Sequence, residues 1–322
     1  MKKALITGVT GSGGSYLAEH LVDEGLEVHG ISRLHSTTHC KNLKKTENKV
    51  TTHNVDLCDF GSLFRCLSKV KPDYIFHIAS KANVRDSFEN PTTIVNNNIN
   101  ITLNLLETVR ILKEKENYNP RIQICSTSEV YGQVDPENIP IKETCPLNPA
   151  SPYAVSKLSQ DKLGQVYYWS YDLDIIRTRM FAYFNARRGD LFSTSFARQI
   201  IDIKRGDKNI LKHGNLSSER VLIDVRDAVS AYWTAMKKCK SGEAYNIGGE
   251  NSTSVSDILD ILIKKSGIEI KCEQDPLLIR PKDITLQIPD SSKFKDETGW
   301  SPKYSLDESL DFFLEEVELF YE

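Results

Sequence analysis

The stretch LITGVTGSGGSYLAEHL, residues 5–21, sets Gly8, Gly11 and Gly14 between a short apolar run and an amphipathic segment. Without β-carbons at those points the backbone can turn tightly and bring its N–H groups, and the start of the following helix, against a pyrophosphate. Turns use glycine for other reasons, so the triplet alone is weak. A strand before it and a helix after it, at the head of the chain, make it a dinucleotide-binding signal. Outward from this loop the same rhythm repeats. Short β-branched runs (KALITG, EVHGIS, KVTTHNVDL, DYIFHIAS, RIQICSTS, DIIRTRMF) are separated by amphipathic segments such as FGSLFRCLSKV and NITLNLLETVRILKEK. Alternation of this kind predicts an α/β fold with a doubly wound parallel sheet. Past FNARRGD the rhythm changes to helical stretches, STSFARQIIDIKRG, VSDILDILIKKSG and LDESLDFFLEEVELFY. We expect a nucleotide-binding domain over 1–180, with later returns near 220–250, and a smaller α-rich substrate lobe over 181–322, with a ligand cleft between them.

The chain has 322 residues, 39% of them hydrophobic and 26% charged, with a net charge of −3. That composition is globular, and it offers no basic footprint for nucleic acid or for an anionic membrane. An anionic ligand must therefore be gripped locally. The seven cysteines, Cys40, Cys58, Cys66, Cys125, Cys145, Cys239 and Cys272, are scattered singly. They have no zinc spacing, so no metal is expected, and reduced thiols in a cytoplasmic protein are the simplest account. The apolar run after Met1 is too short for a signal peptide, and no stretch approaches the ~20 apolar residues of a membrane span.

The second strand ends at Ser32-Arg33, where an NAD-binding chain would carry Asp or Glu for the ribose. A hydroxyl and a guanidinium suit a 2′-phosphate, so the reading favours NADP over NAD, with a solvated Arg33 as the alternative. Asp56-Leu57 follows the third strand. It can meet the adenine edge, or Asp56 can cap the helix that starts near Phe60.

SPYAVSK places Tyr153 and Lys157 four residues apart, on one helix face. A phenol ordinarily titrates near pH ~10, so it serves as a base at neutral pH only beside a cation, and Lys157 is placed to supply one. Upstream, CSTSEVYG (125–132) crowds Thr127, Ser128 and Glu129 behind a strand. Read alone, Glu129 either caps that turn and pairs at the surface, or it is a base.

The sequence resembles the extended short-chain dehydrogenase/reductases, and within them the GDP-mannose 4,6-dehydratase family. The likeness runs nearly end to end: ITGVTGSGGSYLAEHL, EVHGI, SFENP, STSEVYG, SPYAVSK, FNARRGDLF, GNLSSER, RPKD and ETGWSP. It implies a catalytic set of Thr127, Glu129, Tyr153 and Lys157. Tyr153 would take the C4 hydroxyl proton and Thr127 would hold the C4 oxygen. Glu129 would remove the C5 proton acidified by the new ketone, then protonate the departing C6 hydroxyl. Hydride would pass to the cofactor and return to C6. The resemblance also implies cofactor contacts from Gly8, Thr10, Gly11, Gly14, Ser32, Arg33, Asp56, Leu57, Ala79, Tyr153 and Lys157.

For the GDP-sugar it implies contacts from Asn185, Arg188, Arg220, Arg280 and Asp283, with the arginines gripping phosphate through their planar fork. Lys81 stands where the family has glutamine, and Asp283 where it has a longer acid. These departures leave the sugar open among GDP-mannose, GDP-N-acetylglucosamine and a GDP-heptose. A 4-keto reductase, 4-epimerase or C4 dehydrogenase of the same family also needs Tyr153 and Lys157, but needs no C5 base. A non-catalytic nucleotide-binding module is the reading from another class. The double arginine Arg187-Arg188 hints at a subunit contact, and so at a homodimer or homotetramer.

Overall fold

Runs of Val, Ile and Leu that alternate with amphipathic segments fold as strands covered by helices on both sheet faces. The computed structural model describes residues 1–33, 41–46, 48–279 and 286–321. The first part comprises β1 (Lys3–Thr7), α1 (Ser12–Asp23), β2 (Glu27–Ser32), β3 (Val50–Asn54), α2 (Phe60–Val70), β4 (Tyr74–His77), α3 (Val84–Glu89), α4 (Pro91–Glu116), β5 (Arg121–Thr127), α5 (Pro152–Tyr171) and β6 (Ile175–Met180). There follow β7 (Ala182–Tyr183), α6 (Phe192–Arg205), β8 (Ile210–His213), β9 (Glu219–Ile223), α7 (Val225–Lys238), β10 (Ala244–Ile247) and β11 (Ser252–Ser254). The chain closes with α8 (Val255–Ser266), β12 (Lys271–Gln274), β13 (Leu286–Gln287), α9 (Ser292–Thr298) and α10 (Leu306–Phe320).

The main sheet has seven strands in the order β10-β6-β5-β4-β1-β2-β3, and every pairing in it is parallel. One apolar layer packs α1 and α7 on one face, through Leu17, Leu21, Ala228 and Tyr232. A second packs α2, α4 and α5 on the other, through Leu63, Leu67, Leu105 and Tyr167. Strand order reverses between β1 and β4, which opens a crevice beyond their carboxyl ends. The wall opposite that crevice is a small sheet, β11-β9-β13, joined by β7 along β9. Behind it α6, α8 and α10 form a separate core that includes Phe196, Ile258 and Phe313. Strand β10 belongs to the main sheet, beside β6, although it lies far along the chain.

The helix after β3 is capped by Asp59, which accepts from Gly61 N and Ser62 N. Asp56 does not cap it: its carboxylate accepts from Cys58 N at 2.9 Å instead. Among the described residues no helix is long and apolar enough to cross a membrane.

Candidate active site

The crevice begins at the glycine loop. Gly8 has φ +70°, and a Cβ there would lie 3.0 Å from Ala79 Cα. A Cβ on Gly14 would come 2.4 Å from Gly8 O, and one on Gly11 3.0 Å from the same oxygen. The turn exists only because those atoms are missing, and the trough that results fits a dinucleotide pyrophosphate. Thr10 O is held from outside by Asn42 Nδ2 at 2.9 Å. Ala79 N donates to Thr7 Oγ1 at 3.2 Å, and that hydroxyl also meets His77 Nδ1 at 3.0 Å. Asn98 then fixes the next turn by bonding both Lys81 N and Lys81 O.

At the far end of the trough Ser32 is half-buried and Arg33 exposed. The Cys58 thiol is raised by burial and by Asp56, while Arg33 and Lys81 both act on it as nearby cations. No carboxylate follows β2, and Lys81 adds a positive charge here, whereas its place in the sequence points to the sugar end. Leu57 is buried, and its carbonyl accepts from Asn104.

Tyr153 sits in the first turn of α5, where Ser151 caps the helix at Ala154 N and Pro152 fills N1. It is 7% exposed. Burial pushes its phenol up to about 12; Arg188 and a hydrogen bond with Thr127 act to lower it, and Glu129 to raise it. Thr127 ends β5, and its hydroxyl accepts from Glu129 N at 3.3 Å. Thr127, Glu129, Tyr153 and Arg188 therefore converge on one spot, and half-buried Glu129 acts on the phenol instead of standing in bulk water.

Lys157 lies one turn further along α5, but its ammonium donates to the carbonyl of Cys125. Burial lowers it to about 8. The four-residue spacing casts Lys157 as the counter-ion of the phenol. In the fold, Arg188 is the leading cation at Tyr153.

The double arginine splits. Arg188 bonds Asp190 through Nε (2.8 Å) and Ala82 O through Nη2 (2.9 Å), which directs it at the crevice. Arg187 turns inward. Its guanidinium pairs with Glu19 at 2.7 Å and Glu316 at 3.1 Å, and it stacks over Tyr16 with its carbon 3.7 Å from the ring centroid. Its contacts lie within its own chain, though the buried Nε has no hydrogen-bond partner, so they give the subunit contact no support.

Asn185 is 1% exposed; its amide lies beside the Tyr183 phenol, and its Oδ1 has no partner. Arg220 is half-buried on β9, with Nη1 donating to Glu219 O at 2.8 Å. Arg280 and Asp283 lie outside the described residues.

Two further side chains reach the site unannounced by any motif. The Tyr183 hydroxyl would meet a Cβ on Gly13 at 3.0 Å, so it overhangs the glycine loop. Gln287 reaches Ser128, as described below. The extra glycine at position 13 was the one available signal for Tyr183, and Gln287 had none.

Comparison with known proteins agrees with this geometry. The sequence model of the family described as GDP-mannose 4,6 dehydratase matches residues 5–312. The GDP-mannose 4,6-dehydratase of Yersinia enterocolitica is 32% identical, over 96% of this chain and 91% of that protein. Among solved structures, RMD from Pseudomonas aeruginosa complexed with NADPH superposes with a TM-score of 0.83 at 25% identity, covering 99% of both chains. The UDP-glucuronic acid 4-epimerase of Bacillus cereus, in complex with UDP-glucuronic acid and NAD, superposes at 0.86 with 27% identity, covering 99% of this chain and 100% of that one.

Proposed function

The chain belongs to the GDP-mannose 4,6-dehydratase family, and from that premise we propose that it removes water from a GDP-hexose to give the GDP-4-keto-6-deoxy sugar. The observation that carries this reading is the convergence of a phenol, a hydroxyl and a carboxylate, Tyr153, Thr127 and Glu129, at the carboxyl end of β5. A reductase or epimerase uses the first two, but has no work for the third.

NADP is the resident cofactor in this reading, supported by Ser32-Arg33, by the second cation Lys81, and by the lack of an acid after β2. Gly8, Thr10, Gly11, Gly14 and Ala79 would hold its pyrophosphate side, Asp56 and Leu57 its adenine, and Lys157 its nicotinamide ribose. When bound, it supplies a hydride acceptor at C4 and a donor at C6. The protein's part is proton traffic. Tyr153 takes the proton from O4 and Thr127 donates a hydrogen bond to that oxygen as it becomes a carbonyl. Glu129 removes the acidified C5 proton and returns one to the departing C6 oxygen. Arg220, Arg188, Arg280, Asn185 and Asp283 hold the GDP end. GDP-mannose is the first substrate to try, with GDP-N-acetylglucosamine and GDP-heptoses next.

A second copy of this chain covers the exposed apolar side chains on α4 and α5, among them Leu103, Val155, Val166 and Trp169. The working form is accordingly a homodimer or homotetramer in the cytoplasm, which light scattering reads directly.

Incubated with GDP-hexoses and no added reductant, the protein should release a 4-keto product lighter by one water. Glu129→Gln should lower that water loss by about a thousandfold while leaving cofactor binding intact. If no GDP-sugar loses water, or if Glu129→Gln keeps most of the rate, the reading falls.

A further inference from the structure

Ser128 stands between Thr127 and Glu129, and its hydroxyl does not face the crevice. It donates to Gln287 Oε1 at 3.1 Å, and Gln287 Nε2 returns toward Ser128 O at 3.5 Å. Ser128 is 5% exposed, so this exchange is largely shielded from water. Gln287 is itself pinned on both sides. On β13 it pairs with Arg220 of β9, and immediately beyond it Ile288 O accepts from Ile141 N while Asp290 N donates to Ile141 O, each at 2.8 Å. The side chain that grips the turn bearing Glu129 therefore projects from a backbone shared with the strand that carries Arg220. A side chain held in this way can fix the direction of its neighbour's Cα–Cβ bond.

We propose that Gln287 is a positioning residue for the elimination step: through Ser128 it holds the turn that aims Glu129 at C5, and it ties that aim to the sheet that carries Arg220. The inference rests on the dehydratase reading. It assigns Gln287 no contact with substrate or cofactor. Its effect falls chiefly on the C5 proton transfer, because the groups that serve the C4 oxidation are held elsewhere, Tyr153 by α5 and the Ser151 cap and Thr127 by its pairing with Met180 in the main sheet. Loss of the clamp should therefore slow the C5 transfer more than the C4 oxidation.

Gln287→Leu keeps the side-chain bulk and the β13 pairing while removing both hydrogen bonds. Turnover of a GDP-hexose should fall on the order of tenfold or more, with KM within about twofold and the melting temperature held, as expected for an ångström-scale displacement of a base. Substrates deuterated at C4 or at C5 separate the steps. In the variant the isotope effect from C5 should grow relative to that from C4. Ser128→Ala should show the same change in ratio, and combining the two substitutions should add little, because both cut one interaction. A turnover within about twofold of wild type, or a fall that leaves the ratio of isotope effects unchanged, overturns the role. Wild-type protein that removes water from no GDP-hexose overturns the dehydratase reading and this inference together. An active wild type with an indifferent Gln287→Leu variant overturns this inference alone.

Discussion

Replacing Arg187 by Met asks whether that arginine serves the substrate or the fold. Its guanidinium holds Glu19 and Glu316 as ion pairs, donates to Ser15 Oγ and Asn42 O, and stacks on Tyr16 and Phe320. Glu316 is 3% exposed, so the variant strands a buried carboxylate. Removing one member of a buried pair typically costs about 3–5 kcal/mol. Glu316 keeps the Tyr16 hydroxyl at 2.9 Å and the Lys45 ammonium, which argues for the lower end. Methionine retains much of the contact with the two rings. The expected loss is thus about 3 kcal/mol, with Tm lower by about 5 °C for a chain of this size. Urea unfolding followed by tryptophan fluorescence measures the first, and calorimetry the second. Glu316→Gln in the same background should recover part of the loss, since a neutral amide no longer needs a buried cation. KM for the GDP-sugar should hold. A loss under about 1 kcal/mol together with a raised KM would show Arg187 facing the substrate, and the internal-lock account would be wrong.

Two other outcomes follow from single residues. His77 is fully buried between Thr7 and Thr102, and burial, followed by the charge of Lys157, lowers it to about 3 from 6.5. The unfolded chain takes up this proton below pH 6.5 and the native one does not, so the contribution is whole above pH 6.5 and lost as pH falls toward 3. Between pH 7 and 5 that amounts to about 2 kcal/mol, and urea titrations of His77→Gln should show a pH dependence flatter by that amount; parallel curves would contradict the assignment. Arg33→Ala should weaken NADP binding by about ten- to a hundredfold and leave NAD nearly unchanged, as calorimetric titration would report. An equal change for both cofactors would remove the case for a 2′-phosphate site.

What the sequence made legible is what short-range spacing controls. The glycine triplet, the strand periodicity and the four-residue step from Tyr153 to Lys157 each follow from local geometry, and each appears where that geometry puts it. Three features escaped because distant partners decide them. Arg187 and Arg188 are adjacent and chemically identical. Glu19 and Glu316, the latter 129 positions away, draw one of them inward. Lys157 shares a face with Tyr153, yet the Cys125 carbonyl captures its ammonium, a choice made by how α5 packs on β5. Gln287 has no motif at all, and its closeness to Ser128 spans 159 positions. The cap of α2 falls to Asp59 and not to Asp56, the residue weighed from the sequence, because the helix starts at Phe60.

The charges around Tyr153 also say which form of the site is strained. At about 12, the phenol is ionised to roughly one part in ten thousand at pH 8, so the phenolate is the high-energy form in the free protein. Arg188 and Thr127 favour it, while Glu129 opposes it, and the pairing of Arg188 with Asp190 dilutes the cation that would help most. In the proposed reaction this opposition has a direction. When O4 gives its proton to Tyr153, a phenolate facing a carboxylate becomes a phenol facing a carboxylate, and the repulsion with Glu129 disappears. The carboxylate then faces a neutral phenol and a ketone oxygen held by Thr127, and it is the ketone, by acidifying the C5 hydrogen, that lets Glu129 take that proton. The same negative charge that makes the first transfer favourable is the one used in the second. Glu129→Gln would therefore act twice: it would abolish elimination and also bring the Tyr153 phenol below about 12.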